Sequence, residues 1–185
     1  MDWNELRSSC EQCRGCALWE TRTKLVFGDG NPNAELMFIG EGPGEQEDLT
    51  GIPFVGPAGK LLDQMLEIIG LDRNSCYIAN MVKCRPPKNR DPLAIEKEAC
   101  LPWLRAQTKL VSPKIIVCLG RVAAMSIIRD DFKITREHGQ WSEKNGIKMM
   151  ATYHPSALLR DPDKRPEAFG DLKELQRMMR EVCGN

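Results

Sequence analysis

The run Lys114–Leu119, KIIVCL, stops at Gly120 and is followed at once by a helical pattern over about residues 121–129. A short apolar run of this kind, ended by a glycine, reads as a strand buried on both faces. Glu35–Ile39 (ELMFI) stops at Gly40 in the same way, and Tyr77–Val82 (YIANMV) and Lys148–Thr152 (KMMAT) are two further strand candidates. Between the first two, Pro57 stands where a helix should begin and Gly70 where it should end. Leu61, Leu62, Met65, Leu66 and Ile69 recur between them at helical spacing. Two more helices are expected, over about residues 94–110 and 167–182.

Strand and helix therefore alternate repeatedly. The pattern predicts an α/β fold, a mostly parallel sheet with helices on both faces. In such sheets ligands sit beyond the carboxyl ends of the strands. Three loops fall there: 40–56, 83–92 and 153–160. No internal repeat, low-complexity segment or linker interrupts the chain, so residues 1–185 are expected to form one domain.

Charge excludes one easy argument. The chain has 26 basic and 26 acidic residues, so overall charge does not point to nucleic acid, and local clusters must. No apolar run approaches the roughly 18–20 residues of a membrane span. The opening MDWNELRSSC is polar, and a cytoplasmic location and no membrane partner are expected.

Eight cysteines are many for such a chain, and in a reducing compartment they point to metal rather than to disulfides. Cys10, Cys13 and Cys16 form C-x2-C-x2-C, while Cys84 and Cys100 come much later. Cys118 reads as a small buried hydrophobe, and Cys76 and Cys183 lack spaced partners. The other five contain a plausible four-thiolate set, compatible with zinc or an iron–sulfur cluster. Spacing does not decide between the metals, nor whether Cys10 or Cys16 accompanies Cys13.

The loops carry the remaining chemistry. GEGPGEQED at 40–48 lets backbone approach a ligand, but it lacks the lysine of a phosphate loop and is acidic. It suits a developing positive charge or an activated water. Phe54 offers a ring to stack on a planar ligand, and Asn80, inside an apolar strand, offers a donor and an acceptor. KCRPPKNR, with Lys83, Arg85, Lys88 and Arg90, is the best candidate for phosphate contact. In YHPSALLR, His154 is stiffened by Pro155, and Leu158 and Leu159 beside Arg160 read as core or as a wedge entering a base stack.

Taken in order, GEGPGEQED at 40–48, GIPFVGPAGKLLD at 51–63, YIANMVKCRPPKNRDP at 77–92, LG at 119–120 and TYHPSALLR at 152–160 resemble the family 4 uracil-DNA glycosylases. The resemblance covers nearly the whole chain. It implies a three-layer α/β/α sandwich of the uracil-DNA glycosylase superfamily and a [4Fe-4S] cluster held by Cys13, Cys16, Cys84 and Cys100, leaving Cys10 spare. It implies a base-excision enzyme acting on uracil in single- or double-stranded DNA, with the uracil flipped into a pocket. Phe54 would stack on the base, Asn80 would read its edge, and backbone at Glu41 and Gly42 would contact it. His154 would bond the uracil O2 as negative charge grows there. Glu41 and Glu47 are the carboxylates expected to serve the sugar cation or the water, with Asn89 supporting Glu47. Lys83, Arg85, Lys88 and Arg90 would meet DNA, and Leu158, Leu159 and Arg160 would fill the space vacated by the base. A monomer is expected.

In one respect the sequence departs from better-known relatives. Family 1 enzymes carry an aspartate in their first motif, where this chain has Gly42. A relative that traps uracil covalently uses a histidine in a long basic insert, and no such insert follows Cys84. Turnover is therefore expected. Two other classes compete on the cysteines and basic loop: a non-catalytic iron–sulfur DNA-binding or redox-sensing module, and a zinc-bearing nucleotide hydrolase. Neither explains a base-sized set of Phe54, Asn80 and the HPS segment as economically.

Overall fold

The computed structural model describes residues 1–184. In chain order the elements are α1 (Trp3–Glu11), β1 (Asp29–Gly30), β2 (Leu36–Gly40), α2 (Glu45–Thr50), α3 (Pro57–Ile68), β3 (Tyr77–Asn80) and α4 (Ala94–Val111). Then follow β4 (Ile115–Leu119), α5 (Arg121–Ile127), α6 (Ile134–Glu137), β5 (Ser142–Lys144), β6 (Ile147–Thr152), α7 (Pro155–Arg160) and α8 (Arg165–Cys183). The sheet order is β1-β3-β2-β4-β6-β5. The inner strands β3, β2, β4 and β6 run parallel, and the short edges β1 and β5 are antiparallel.

The period-2 alternation of the strands divides the core in two. Leu36, Phe38, Ile78, Ile115, Val117, Leu119 and Met150 point to one face and pack against Leu62 and Leu66 of α3 and Leu172 and Leu175 of α8. Met37, Ile39, Ala79, Ile116, Cys118 and Ala151 point to the other face, against Leu104 of α4 and Ala123 and Ala124 of α5. The small alanines let α5 lie close to the sheet. The expected three-layer α/β/α arrangement is thus the observed one. Cys118 is fully buried within it, as its apolar setting implied.

The expected strands and long helices are present, with ends shifted by a few residues. The short edge strands β1 and β5 and the helix α6 were not expected, nor were two features nearer the termini and the site. The polar N-terminal stretch forms α1, closed by a reciprocal cap in which the Asp2 side chain accepts from Glu5 N and Glu5 accepts from Asp2 N. The loops 40–56 and 153–160 contain the short helices α2 and α7. Among the described residues no helix is long and apolar enough to cross a membrane.

What positions the site is register. Gly40 lies opposite Asn80 at the carboxyl ends of β2 and β3, and Leu119 lies opposite Thr152 at the ends of β4 and β6. The loops beginning at Glu41, Met81, Gly120 and Tyr153 therefore leave one edge of the sheet side by side.

Candidate active site

Those loops enclose a cleft of about 490 Å³, within the range of small-ligand sites. Glu41, Gly42, Glu47, Asn89, Asp91, Gly120, Arg121, His154 and Arg160 are among its lining residues. Phe54 and Asn80 are not among its lining residues; they meet at Gly40, next to the Glu41 and Gly42 that line it. A Cβ built on Gly40 would fall 2.5 Å from Asn80 Oδ1 and 2.6 Å from Phe54 Cζ. Any other residue at 40 would drive these two side chains apart.

Phe54 is held in a left-handed backbone conformation, φ 54°, which is uncommon for a bulky residue and must be enforced by its surroundings. Two features enforce it. Gly59 of α3 passes so close that a Cβ there would overlap the Phe54 carbonyl. Arg73 donates from Nη1 to Pro53 O at 2.7 Å and from Nη2 to Phe54 O, and it is itself pinned by Asp63 at 2.8 Å. Arg73 did not stand out in the sequence, because nothing local marks a residue that grips a turn 20 positions away. The Phe54 ring packs on His154, centroids 5.5 Å apart at 30°.

Asn80 is 2% exposed, and its Oδ1 has no hydrogen-bond partner. A buried acceptor left unpaired costs roughly 1–3 kcal/mol, so such an atom marks a place where a ligand donor fits.

His154 caps α7. Its Nδ1 accepts from Ser156 N at 3.0 Å and faces Ser156 Oγ at 2.7 Å. A backbone N–H can only donate, so Nδ1 carries the lone pair and the hydrogen resides on Nε2. Burial, reinforced by the Arg160 charge, pushes the ring down to about 4, so it is a neutral donor at physiological pH. At Gly120, φ +93°, an added Cβ would fall 2.9 Å from His154 Cβ, so the backbone passes the ring only because no side chain stands there.

The two glutamates differ. Glu41 is pushed up to about 7 by burial, then by its hydrogen bond to Asp91 and that residue's charge. Asp91 is held below the usual carboxylate range, first by Arg121, which donates to it at 2.8 Å. Of the two, Asp91 is held in its charged form and Glu41 is the one disposed to keep a proton. Glu47 accepts from two backbone amides, Gly44 N at 3.2 Å and Gly56 N at 3.1 Å, and so ties the acidic loop to the turn after Phe54. Asn89 does not bond Glu47: its Oδ1 accepts from Arg85 Nε at 2.8 Å. The support expected from Asn89 comes instead from the backbone.

Two further expectations are corrected. Lys83 is 1% exposed and lies inside the protein, so it cannot reach a phosphate. Leu158 is 1% exposed and belongs to the core, whereas Leu159 is 40% exposed. A helix turns successive side chains by about 100°, which sends one inward and its neighbour out. Arg85 is half-buried, Lys88 is exposed, and Arg90 is exposed while forming a two-pronged pair with Glu96. Of these, Arg90 lines the cleft, as does Arg160.

A second cavity lies under the loop after β3, lined by Cys10, Cys13, Cys16, Cys84, Cys100, Lys83 and Trp103. Its sulfurs receive N–H donors from several directions. Gly15 N (3.4 Å) and Trp103 Nε1 (3.2 Å) point at Cys13 Sγ, Arg22 Nη1 at Cys84 Sγ (3.2 Å), and Lys83 N at Cys100 Sγ (3.3 Å). Cys16 packs with Cys84, Cys100, Leu18 and Val82, while Cys10 packs with Leu6, Phe27 and Trp3 of a neighbouring group. Among the described residues, no three His, Cys, Asp or Glu side chains converge closely enough to hold a single metal ion.

A parallel sheet whose strand ends carry this cleft defines a class, and residues 27–175 match the family model described as Uracil DNA glycosylase superfamily. A type-4 uracil-DNA glycosylase of Archaeoglobus fulgidus is 46% identical over 182 residues, covering 93% of this chain and 88% of the relative. One from Sulfurisphaera tokodaii is 45% identical over 183 residues, covering 94% and 83%. A type-5 enzyme of Pyrobaculum aerophilum is more distant, 31% identical over 169 residues, covering 82% and 74%. The chain belongs to the type-4 uracil-DNA glycosylases.

Proposed function

We propose that the cleft is where this chain, a uracil-DNA glycosylase, hydrolyses the N-glycosidic bond of deoxyuridine in DNA, releasing uracil and leaving an abasic site. The observation that carries the assignment is a linked trio: the Phe54 ring and the unpaired Asn80 amide oxygen meet at Gly40, and the neutral His154 imidazole, with its proton on Nε2, packs on Phe54.

Each matches one feature of uracil. The N3–H of the base needs an acceptor, and Asn80 Oδ1 lacks a donor. O4 accepts, and the Asn80 amide NH2 donates. O2 gains negative charge as the glycosidic bond lengthens, and His154 Nε2–H is the donor for it. A neutral donor suits this role because its proton is not lost to water during turnover. The rings of Phe54 and His154 are 5.5 Å apart, less than two stacking spacings of about 3.5 Å, so the base lies on Phe54 and meets His154 at its edge. Gly42 leaves open backbone where a carboxylate side chain would otherwise stand. Glu41 and Glu47 are the carboxylates that face the sugar cation and the water.

DNA enters across the basic loop, with Arg85, Lys88, Arg90 and Arg160 toward phosphates and exposed Leu159 toward the gap left by the base. The cysteine cavity is read as the seat of a [4Fe-4S] cluster on Cys13, Cys16, Cys84 and Cys100. Two backbone amides and the Arg22 guanidinium, aimed at three of these sulfurs, favour thiolates, and the group with Cys16 rather than Cys10 completes the four. When bound, the cluster pins the N-terminal segment to the loop after β3. The reading takes residues 1–185 as one domain, monomeric and cytoplasmic.

The test is an oligonucleotide panel with U:G, U:A, single-stranded U, hypoxanthine and T:G. Free uracil and alkali-labile sites from the uracil substrates support the proposal. A stable protein–DNA adduct, or cleavage of free nucleotides alone, rejects it.

A further inference from the structure

Lys83 Nζ is enclosed by protein and has a single acceptor, the carbonyl of Asn80, at 3.1 Å. Among the described residues no carboxylate pairs with it, whereas most other buried polar groups here have partners. An ammonium removed from water costs several kcal/mol unless an anion compensates it. The groups around it that can be anionic are sulfurs: Lys83 lines the same cavity as Cys10, Cys13, Cys16, Cys84 and Cys100. Its own backbone N donates to Cys100 Sγ at 3.3 Å, and its carbonyl is fixed by Val26 N at 2.8 Å. Four thiolates around a cluster would bring net negative charge into the cavity that Lys83 lines.

We propose that Lys83 is the internal counter-cation of the iron–sulfur centre, and that its bond to the Asn80 carbonyl ties that centre to the base-reading end of β3. The inference rests on the cluster reading given above. It accounts for a lysine, rather than an apolar residue, at a position no solvent reaches, and for the short path, with only three residues between, from the base reader Asn80 to the ligand Cys84.

The experiment compares Lys83→Met, Lys83→Gln and Lys83→Arg with wild type, all purified as holoprotein without air. Iron and acid-labile sulfide per chain, the rate of iron loss to a chelator, the cluster reduction potential and uracil-release kinetics are measured. K83M is expected to lose iron about 10–100-fold faster, the usual cost of removing a partner of a metal ligand set. Its potential should move negative, because the reduced cluster loses the cation that stabilised it. K83Q keeps a donor for Asn80 and should share the potential shift with a smaller change in KM. K83R keeps the charge, holds the wild-type potential, and carries the test if K83M fails to fold. Holoprotein K83M with wild-type potential and iron retention overturns the inference while leaving the cluster reading intact. So does a K83M that melts above wild type, the result expected of a merely uncompensated charge. A wild-type protein that contains no iron removes the cluster reading and this inference together.

Discussion

Replacing His154 by alanine removes the Nε2–H donor and leaves the fold largely in place, since the ring's remaining contacts are a stack on Phe54 and the cap on Ser156. The donor faces charge that develops only in the transition state, so the loss should fall on kcat rather than KM. One donor of this kind is worth about 3–4 kcal/mol, or about 10²–10³ in kcat. The tautomer argument sharpens the test. Ser156→Ala removes the hydroxyl but leaves the backbone amide, whose 3.0 Å bond still fixes Nδ1 as acceptor. It should cost only about one hydrogen bond, roughly 1 kcal/mol or about fivefold. The pH dependence follows from the ring's depressed value. Native His154 takes a proton only near pH 4, whereas unfolded histidine does so near 6.5. Between those values the unfolded chain binds more protons, so stability at this site is full above about 6.5 and declines as pH falls toward 4. The decline amounts to about 3 kcal/mol, and His154→Asn should lack it. The assay is single-turnover release of uracil from a U:G oligonucleotide, with urea melts at pH 4.5 to 8. An H154A variant within threefold of wild type, or an S156A variant as slow as H154A, refutes the reasoning.

Other outcomes follow from the same geometry. Asn80→Ala, which leaves the uracil N3–H without its acceptor, should lower kcat/KM by about 10–100-fold, and an unchanged value would dissociate Asn80 from base reading. If Glu41 works as a carboxylate, kcat should fall as pH drops through about 7, where Glu41 takes up its proton, and Glu41→Gln should show no break there. A break that survives in E41Q assigns the ionisation elsewhere. Arg73→Met should release the Phe54 turn and raise KM several-fold with little change in kcat, read by steady-state kinetics. Leu158→Ala should lower unfolding free energy by about 2–5 kcal/mol, whereas Leu159→Ala should leave stability within about 0.5 kcal/mol and weaken only duplex activity. Equal effects of the two on melting would contradict the division into core and wedge.

The alternation of apolar runs with helices determined the α/β class, because both periodicities are local and survive without neighbours. Predicted strand ends marked the loops 40–56, 83–92 and 153–160 as the ones that would carry chemistry, and the order of motifs gave the family. The cysteine spacing limited the metal set to five candidates. What the sequence did not reveal depends on which way a side chain leaves its backbone. Lys83 stands in a basic run, yet the strand end turns it into the cysteine cavity. Leu158 and Leu159 are chemically alike, and one residue's step of about 100° around α7 separates core from surface. Arg73 holds Phe54 across a fold, and Ser156 fixes the His154 tautomer through a single directed amide. Composition and spacing dictate which elements form; only packing in three dimensions decides direction, burial and the placement of protons, because those depend on residues distant in the chain.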